Sequence, residues 1–193
     1  GGTTGRQNLN VTFRAHGNRN SNFTSRIWAS WYDFKLYSNF TLFLDHPVEG
    51  DMIEQVDDRV LFGFDNTYSF YHDLGGRLAH TRFGGGLRAD NADVALWHSP
   101  ERIRQTSLVD SRVIERNGYL WGQEEVFLNP KLRLVLGLRA DYFTFNVEDR
   151  LEGLPAALPH VSGVAQDEIL SPKAGLVYSP SPRLDLFLNA GSG

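Results

Sequence analysis

Six histidines and one acidic stretch are the side chains in this sequence that could bind a metal ion. No two histidines are four residues apart, as a helical site needs, and no His-x-His places two ligands on one strand face. The acidic stretch could coordinate a hard cation through carboxylate oxygens, but it lacks the spacing of an EF-hand. We therefore predict that the histidines are solvated loop residues or interface residues, that the acidic stretch is a solvated loop, and that neither forms a metal site. The residues are His16, His46, His72, His80, His98 and His160, with Asp45, Glu49, Asp51, Glu54, Asp57 and Asp58.

Motifs that would indicate catalysis are missing. Gly84-Gly85-Gly86 opens no helix, so it does not predict a phosphate-binding loop; glycines inside a strand more often allow a bend or close packing. No Gly-x-Ser-x-Gly supports a Ser/His/Asp triad. The chain contains no cysteine, which excludes thiol nucleophiles, disulfides and Cys-based zinc sites. We predict a protein that is not an enzyme and has no cofactor and no catalytic residues.

Composition limits the remaining classes. The chain has 193 residues, 22% of them charged, and a net charge of −4, which argues for one folded domain and against a basic nucleic-acid interface. No stretch approaches the roughly 20 apolar residues of a membrane helix. Membrane-spanning strands would escape such a scan, because lipid-facing and inward-facing residues alternate in them.

The apolar residues recur with period two, which indicates strands. The clearest case is 131–147, where Leu132, Leu134, Leu136, Leu138, Ala140 and Tyr142 share one face and Arg133, Arg139 and Asp141 share the other. Further strands are predicted at 8–16, 23–44, 60–71, 82–97, 112–128, 169–179 and 183–190, the second of them continuing through Phe40–Leu44. For 112–128 the pattern does not show which face is apolar.

The connections between these strands alternate strictly between tight turns and long polar loops. The tight turns are 17–22, 74–77, 129–131 and 179–182, and the long loops are 45–58, 98–111 and 149–168. In an up-and-down meander this puts all tight turns at one rim and all long loops at the other, as in outer-membrane barrels. We predict an all-β fold: an antiparallel up-and-down meander of about eight strands, part of a larger transmembrane β-barrel.

Four segments resemble TonB-dependent outer-membrane receptors, especially those for siderophores and metals. They are Tyr37–Leu44 running into Pro47–Asp51, Leu136–Asp141, Leu170–Tyr178 and Phe187–Gly191. The resemblance implies a 22-stranded barrel closed by a plug domain and coupled to TonB. Residues 1–193 show neither a plug nor a TonB box, so we expect one partial barrel domain in the bacterial outer membrane. Its partners would be lipid, a metal-chelate or other small ligand, the plug, the remaining strands and the TonB complex, with no nucleic acid.

If the leucine face meets lipid, the charged residues line the lumen. Arg88, Asp90, Arg133, Arg139 and Asp141 would then be the candidate ligand-binding residues, although they could instead only pair with one another. The aromatics near strand ends, among them Trp28, Trp31, Tyr119 and Trp121, could form interfacial girdles or ordinary β-core contacts. The alternative function is a soluble, lipocalin-like barrel whose leucine face points into a ligand cavity. Loop composition does not reveal the cargo.

Overall fold

The computed structural model describes residues 1–17, 20–151 and 161–193, which contain eight β-strands and one short 3-10 turn, Pro100–Arg102. The strands are β1 (Gly2–Gly17), β2 (Ser21–Ser38), β3 (Ile53–Asp73), β4 (Leu78–His98), β5 (Thr106–Asn129), β6 (Leu132–Asp149), β7 (Gly163–Ser181) and β8 (Leu184–Gly191). They form a single sheet in the order β1 to β8, and each strand runs antiparallel to its neighbours. The predicted all-β meander is confirmed.

Tight turns and long loops alternate as predicted, so the sheet has a short-turn rim and a long-loop rim. At the short-turn rim Gly75 and Gly76 adopt φ values of 61° and 81°, which glycine accepts without steric cost. The Gly76 N–H donates to Asp73 Oδ1 at 2.9 Å. The long-loop rim carries the connections 39–52, 99–105 and 150–162, and residues 152–160 of the last lie outside the described part.

The predicted strand at Phe40–Leu44 is wrong, because β2 ends at Ser38. The Asn39 side chain accepts a hydrogen bond from Leu42 N (2.7 Å) and donates to Leu42 O (3.2 Å). Such local side-chain bonds compete with strand pairing, and Leu42 has a φ of 62°. The loop 149–168 was predicted too long, since β7 already begins at Gly163 and pairs with β6 from Val147 onward.

Cross-strand partners in an antiparallel pair share a face, so the register sorts every strand into two sides. One side runs from Val11 through its successive partners Ile27, Phe64 and Leu87. On later strands it holds Leu120 and the leucines of β6. We call this side the apolar face and the opposite side the polar face. The alternation predicted for β6 is confirmed, and the register also resolves β5: Leu120 lies on the apolar face, and Tyr119 and Trp121 lie on the polar face.

Almost nothing covers this sheet. Among the described residues, the buried hydrophobic side chains are only Ala79, Ala92 and Val177. Large side chains of the apolar face remain open, with Leu120 72% and Leu188 70% exposed. The described part of the chain contains no helix long and apolar enough to cross a membrane. The strands therefore form one layer whose apolar face has no partner within the described chain.

Candidate functional site

The polar face holds all five residues predicted to bind ligand, arranged as separate ion pairs. Arg88 and Asp90 are two residues apart on β4 and share a face; Arg88 Nε lies 2.9 Å from Asp90 Oδ1, and a second contact measures 2.5 Å. Arg139 and Asp141 repeat this arrangement on β6, at 2.6 and 2.7 Å. Each fork satisfies both carboxylate oxygens. These four residues therefore neutralise one another in pairs.

Arg133 lies apart from those pairs. Its guanidinium contacts Glu125 of β5 at 3.1 Å, and Glu125 also faces His80 of β4 at 3.9 Å. The His80 ring stacks on Tyr71 with centroids 4.1 Å apart. This cluster lies near the short-turn rim, and the described contacts do not join it to either fork. The structure thus places the five predicted residues on one face but does not bring them together at one point.

A third fork of this kind and a set of rings that lie against glycines were not among the predicted features. Arg59 and Asp57 on β3 form a pair like those above, at 2.9 and 2.5 Å. The Trp28 ring lies so close to Gly63 that a Cβ there would come within 2.7 Å of it. A sequence signal for the forks exists, since charges of opposite sign stand two residues apart in 57–59, 88–90 and 139–141.

Gly84 and Gly86 make room for rings of β5 in the same way. A Cβ on Gly86 would lie 2.7 Å from the Tyr119 hydroxyl, and one on Gly84 would lie 3.1 Å from Trp121 Nε1. The Arg139 guanidinium lies over the Tyr119 ring, 4.1 Å from its centroid, a cation–π contact. The glycine triplet therefore serves close packing inside a strand. Tyr119, Trp121 and Trp28 lie on the polar face, opposite the leucines of β6.

A buried carboxylate fastens the long-loop rim. Glu54, at the start of β3, is 1% exposed and accepts hydrogen bonds from Arg104 Nε (2.7 Å) and a second Arg104 nitrogen (2.9 Å), with Lys35 Nζ at 3.4 Å. The hydrogen bonds from Arg104 outweigh the effect of burial and lower the pKa of Glu54 from 4.5 to about 2. The Arg104 guanidinium also lies 5.1 Å from the Trp97 ring centroid. This contact set ties loop 99–105 to β3 and to the end of β2.

The second rim loop, 39–52, is closed by Asp51. Its carboxylate accepts the backbone N–H groups of Leu44 (2.7 Å), Asp45 (3.1 Å) and His46 (2.7 Å). Burial acts to raise the pKa of Asp51, but these bonds together lower it below its ordinary value. His98 of β4 contacts Gly50 O through Nε2 at 2.8 Å and stacks on His46, with centroids 4.0 Å apart. The loop is thus bonded internally and also held to β4.

Two residues of the acidic stretch are not solvated. Asp51 and Glu54 were predicted to be solvated, but both are buried and bonded to protein donors. Within the described residues no three histidine or acidic side chains are arranged to hold a metal ion. Large apolar side chains project from the closed loop instead, with Phe40 82% and Val48 91% exposed.

Comparison with known proteins adds a family and a fold. A family model described as TonB dependent receptor-like, β-barrel, matches residues 1–193. None of the curated protein sequences that were compared matches the chain.

Three solved structures illustrate the shared fold. The unliganded ferric citrate transporter FecA superposes with a TM-score of 0.80 at 10% identity, over 96% of this chain and 27% of that one. The siderophore receptor PiuA from Acinetobacter baumannii gives 0.69 at 11% identity, over 92% and 30%. The copper transporter OprC gives 0.62 at 16% identity, over 96% and 30%. The chain therefore spans about 30% of the length of these structures, and at such identities the likeness concerns the fold alone.

Proposed function

Because this chain belongs to the family of TonB-dependent receptor-like β-barrels, we propose that it forms part of the wall of a bacterial outer-membrane receptor. The receptor takes up a scarce ligand, such as a metal chelate or siderophore, and is not an enzyme. The observation that carries this proposal is the open apolar face, with Leu120 72% and Leu188 70% exposed on a single-layered sheet. Acyl chains cover such a face without any protein partner.

The outline of the apolar face supports a membrane setting. Counted from Phe64, Leu87 and Leu120 toward the long-loop rim, the first polar residues of the apolar face are Asp58 on β3, Asn91 on β4 and Arg116 on β5. On β4 the partner of Asp58 is Asp93, and Asn91 lies two residues closer than Asp93 to the short-turn rim. On β5 the partner of Asn91 is Ile114, and Arg116 lies two residues closer than Ile114 to the same rim. From β3 to β5 the polar border of the apolar face therefore shifts by two residues per strand, relative to the cross-strand partners, toward the short-turn rim. In a closed barrel the strands are tilted by roughly 35–45°, and the apolar band is level with the membrane only if its border shifts in this way.

The difference between the short-turn rim and the long-loop rim indicates how the strands are oriented in the membrane. In outer-membrane barrels the tight turns are periplasmic and the longer loops extracellular. Loops 39–52 and 99–105 would then face the medium and contribute to ligand capture. The polar face would line the lumen, where a plug domain and the remaining strands complete the receptor and the TonB complex supplies energy. Arg88, Asp90, Arg133, Arg139 and Asp141 remain candidates for contact with the ligand or the plug.

The soluble lipocalin-like alternative requires a closed small barrel. In such a barrel β1 would pair with β8 and the leucines would be buried inside. The described strands instead form an open row with β1 and β8 at opposite ends, and Leu136 and Leu138 are about half exposed. Both observations argue against the alternative.

Cysteine labelling in whole cells tests the proposal, because residues 1–193 contain no cysteine of their own. Val48→Cys in loop 39–52 and Lys131→Cys in a tight turn are introduced singly into the full-length receptor, whose unsubstituted form serves as the background control. A membrane-impermeant maleimide should label Val48→Cys on intact cells. It should label Lys131→Cys only after the outer membrane is permeabilised. Labelling of both on intact cells, or recovery of the receptor in the soluble fraction, would refute the proposed setting.

A further inference from the structure

Three polar side chains interrupt the apolar face near the short-turn rim. His72 of β3, Thr81 of β4 and Glu124 of β5 all lie on that face by register. The Thr81 hydroxyl donates to Glu124 Oε2 at 2.6 Å, and His72 Nε2 lies 2.8 Å from Thr81 Oγ1 and 3.1 Å from Glu124 Oε1. The three strands thus converge on one carboxylate.

The surroundings of that carboxylate are apolar. Leu136 is the direct partner of Glu124 on β6, and Phe70 is the direct partner of Thr81 on β3. Phe70 also continues a row of rings, with Tyr68 at 5.8 Å and His72 at 5.4 Å between centroids. On the proposed function, this is the boundary where acyl chains give way to headgroups, the depth at which aromatic rings concentrate.

A carboxylate at such a boundary is costly without a cation. Among the described residues no lysine or arginine forms an ion pair with Glu124; its one ionic contact is His72. The Glu124 side chain is 30% exposed and that of His72 is 31% exposed, so a group from outside the wall can reach both. Thr81 and His72 fix the carboxylate in place but leave it open on the lipid side.

We propose that His72, Thr81 and Glu124 form a binding site for the primary ammonium group of a phospholipid headgroup, as in phosphatidylethanolamine. The ammonium group donates a hydrogen bond to the Glu124 carboxylate and neutralises it, while the acyl chains lie along the apolar face beside Leu136. A quaternary ammonium group has no N–H to donate, and a glycerol headgroup has no positive charge. The site therefore selects ethanolamine over choline and over glycerol headgroups. This inference rests on the proposed function, since it requires the apolar face to meet lipid.

The chain supplies a matched control. Glu125 is the next residue of β5, lies at the same depth and points to the polar face, where it pairs with Arg133. Glu124→Gln and Glu125→Gln therefore remove the same charge from opposite sides of the wall. Thr81→Val is a second site variant that keeps the side-chain shape and removes the hydroxyl that orients the carboxylate.

The test is native mass spectrometry of the full-length receptor, titrated in detergent with dioleoyl phosphatidylethanolamine, phosphatidylcholine or phosphatidylglycerol. Each variant is first shown to fold into bilayers by its heat-dependent migration in gels. The unsubstituted receptor and Glu125→Gln should retain phosphatidylethanolamine about threefold to tenfold better than the other two lipids, the range for the net contribution of one hydrogen bond at a partly exposed site. Glu124→Gln should abolish this preference and Thr81→Val should reduce it.

Equal retention of the three lipids by a receptor that folds into bilayers would overturn the headgroup site and leave the proposed function intact. An unchanged preference in Glu124→Gln would have the same meaning. A receptor that does not insert into bilayers at all would instead overturn the proposed function, and the headgroup site with it.

Discussion

Replacing Glu54 by glutamine should release loop 99–105 from the long-loop rim. The substitution keeps the size of the side chain but removes the charge that receives two hydrogen bonds from Arg104 and the approach of Lys35. Glutamine can accept one of the Arg104 hydrogen bonds through its carbonyl, but its NH₂ group would face the other guanidinium N–H. The loop would therefore lose its strongest attachment to β3.

The pKa of Glu54 gives the magnitude. A fall from 4.5 to about 2 means that the folded rim favours the ionised carboxylate by about 3 kcal/mol, which corresponds to about a hundredfold change in a local opening equilibrium. Because the pKa is lowered in the folded state, this stabilisation is fully present above pH 4.5 and is lost as the pH falls through about 2. At neutral pH the loop should stay attached.

Hydrogen exchange measures the release directly. The Ser99 N–H donates to Met52 O and the Gln105 N–H donates to His98 O, so both amides report on attachment of the loop. Glu54→Gln should speed their exchange by up to about a hundredfold. The control, Glu49→Gln, removes a charge from the exposed part of loop 39–52 and should leave both rates unchanged. Equal rates in Glu54→Gln and the unsubstituted receptor would refute the assignment of Glu54 as the attachment point.

Three further predictions test the two faces. Leu120→Arg should cost roughly 2–4 kcal/mol of folding free energy in bilayers if the apolar face meets lipid, because Leu120 lies midway between Arg116 and Glu124 along β5. Urea titration measures this cost, and a value near zero would reverse the face assignment. Gly86→Ala should cost about 1–3 kcal/mol of folding free energy, because its Cβ would lie 2.4 Å from the Phe64 carbonyl oxygen. The control, Gly122→Ala, should cost far less, because no atom lies within 4 Å of a Cβ at that position. Equal costs for the two substitutions would contradict the close packing at Gly86. A double-mutant cycle with Arg139→Gln and Asp141→Asn should give a coupling of about 0.5–1 kcal/mol, and additive single costs would show that the fork contributes no stability.

The meander could be predicted from the sequence because its two signals, the alternation of apolar residues and the turn residues, each lie within a short segment. In 131–147 the leucines fall at every second position without exception, and a one-residue slip of register would move all of them to the other face. The turn residues at 74–77 and 129–131 have their own backbone preferences. A period of two and a turn signal are enough to place both ends of β6 to within two residues.

The end of β2 could not be predicted in this way. Phe40–Leu44 has strong β propensity. However, the Asn39 side chain accepts a hydrogen bond from Leu42 N, and the Asp51 carboxylate accepts hydrogen bonds from three backbone N–H groups of the same loop. Here side-chain bonds to the backbone outweigh propensity. The faces of β5 were undecided for a different reason. The rings of β5 lie on the polar face, where Gly84 and Gly86 of β4 leave space for them. The sequence of β5 alone does not contain this information, because the glycines are on the neighbouring strand.

The candidate site shows the same division between local and distant information. Arg88 with Asp90, and Arg139 with Asp141, stand two residues apart, and strand geometry alone brings each pair together. The attachment of Arg104 to Glu54 joins residues 50 positions apart, and the contact of Glu124 with His72 spans 52. No local pattern encodes either contact. Both become visible only when the register of several strands is known.

The pairing of charges on the polar face bears on where the receptor would recognise its ligand. Arg59, Arg88 and Arg139 each direct a fork at an aspartate on their own strand, so a passing anion would have to displace a carboxylate to bind them. The rings of Tyr119 and Trp121 lie against Gly86 and Gly84 of β4. The charges of these three forks are therefore paired within the wall, which, on the proposed function, suits passage better than selection. Selection by this part of the receptor is then expected at the long-loop rim, where a closed loop presents exposed apolar side chains such as Phe40 and Val48.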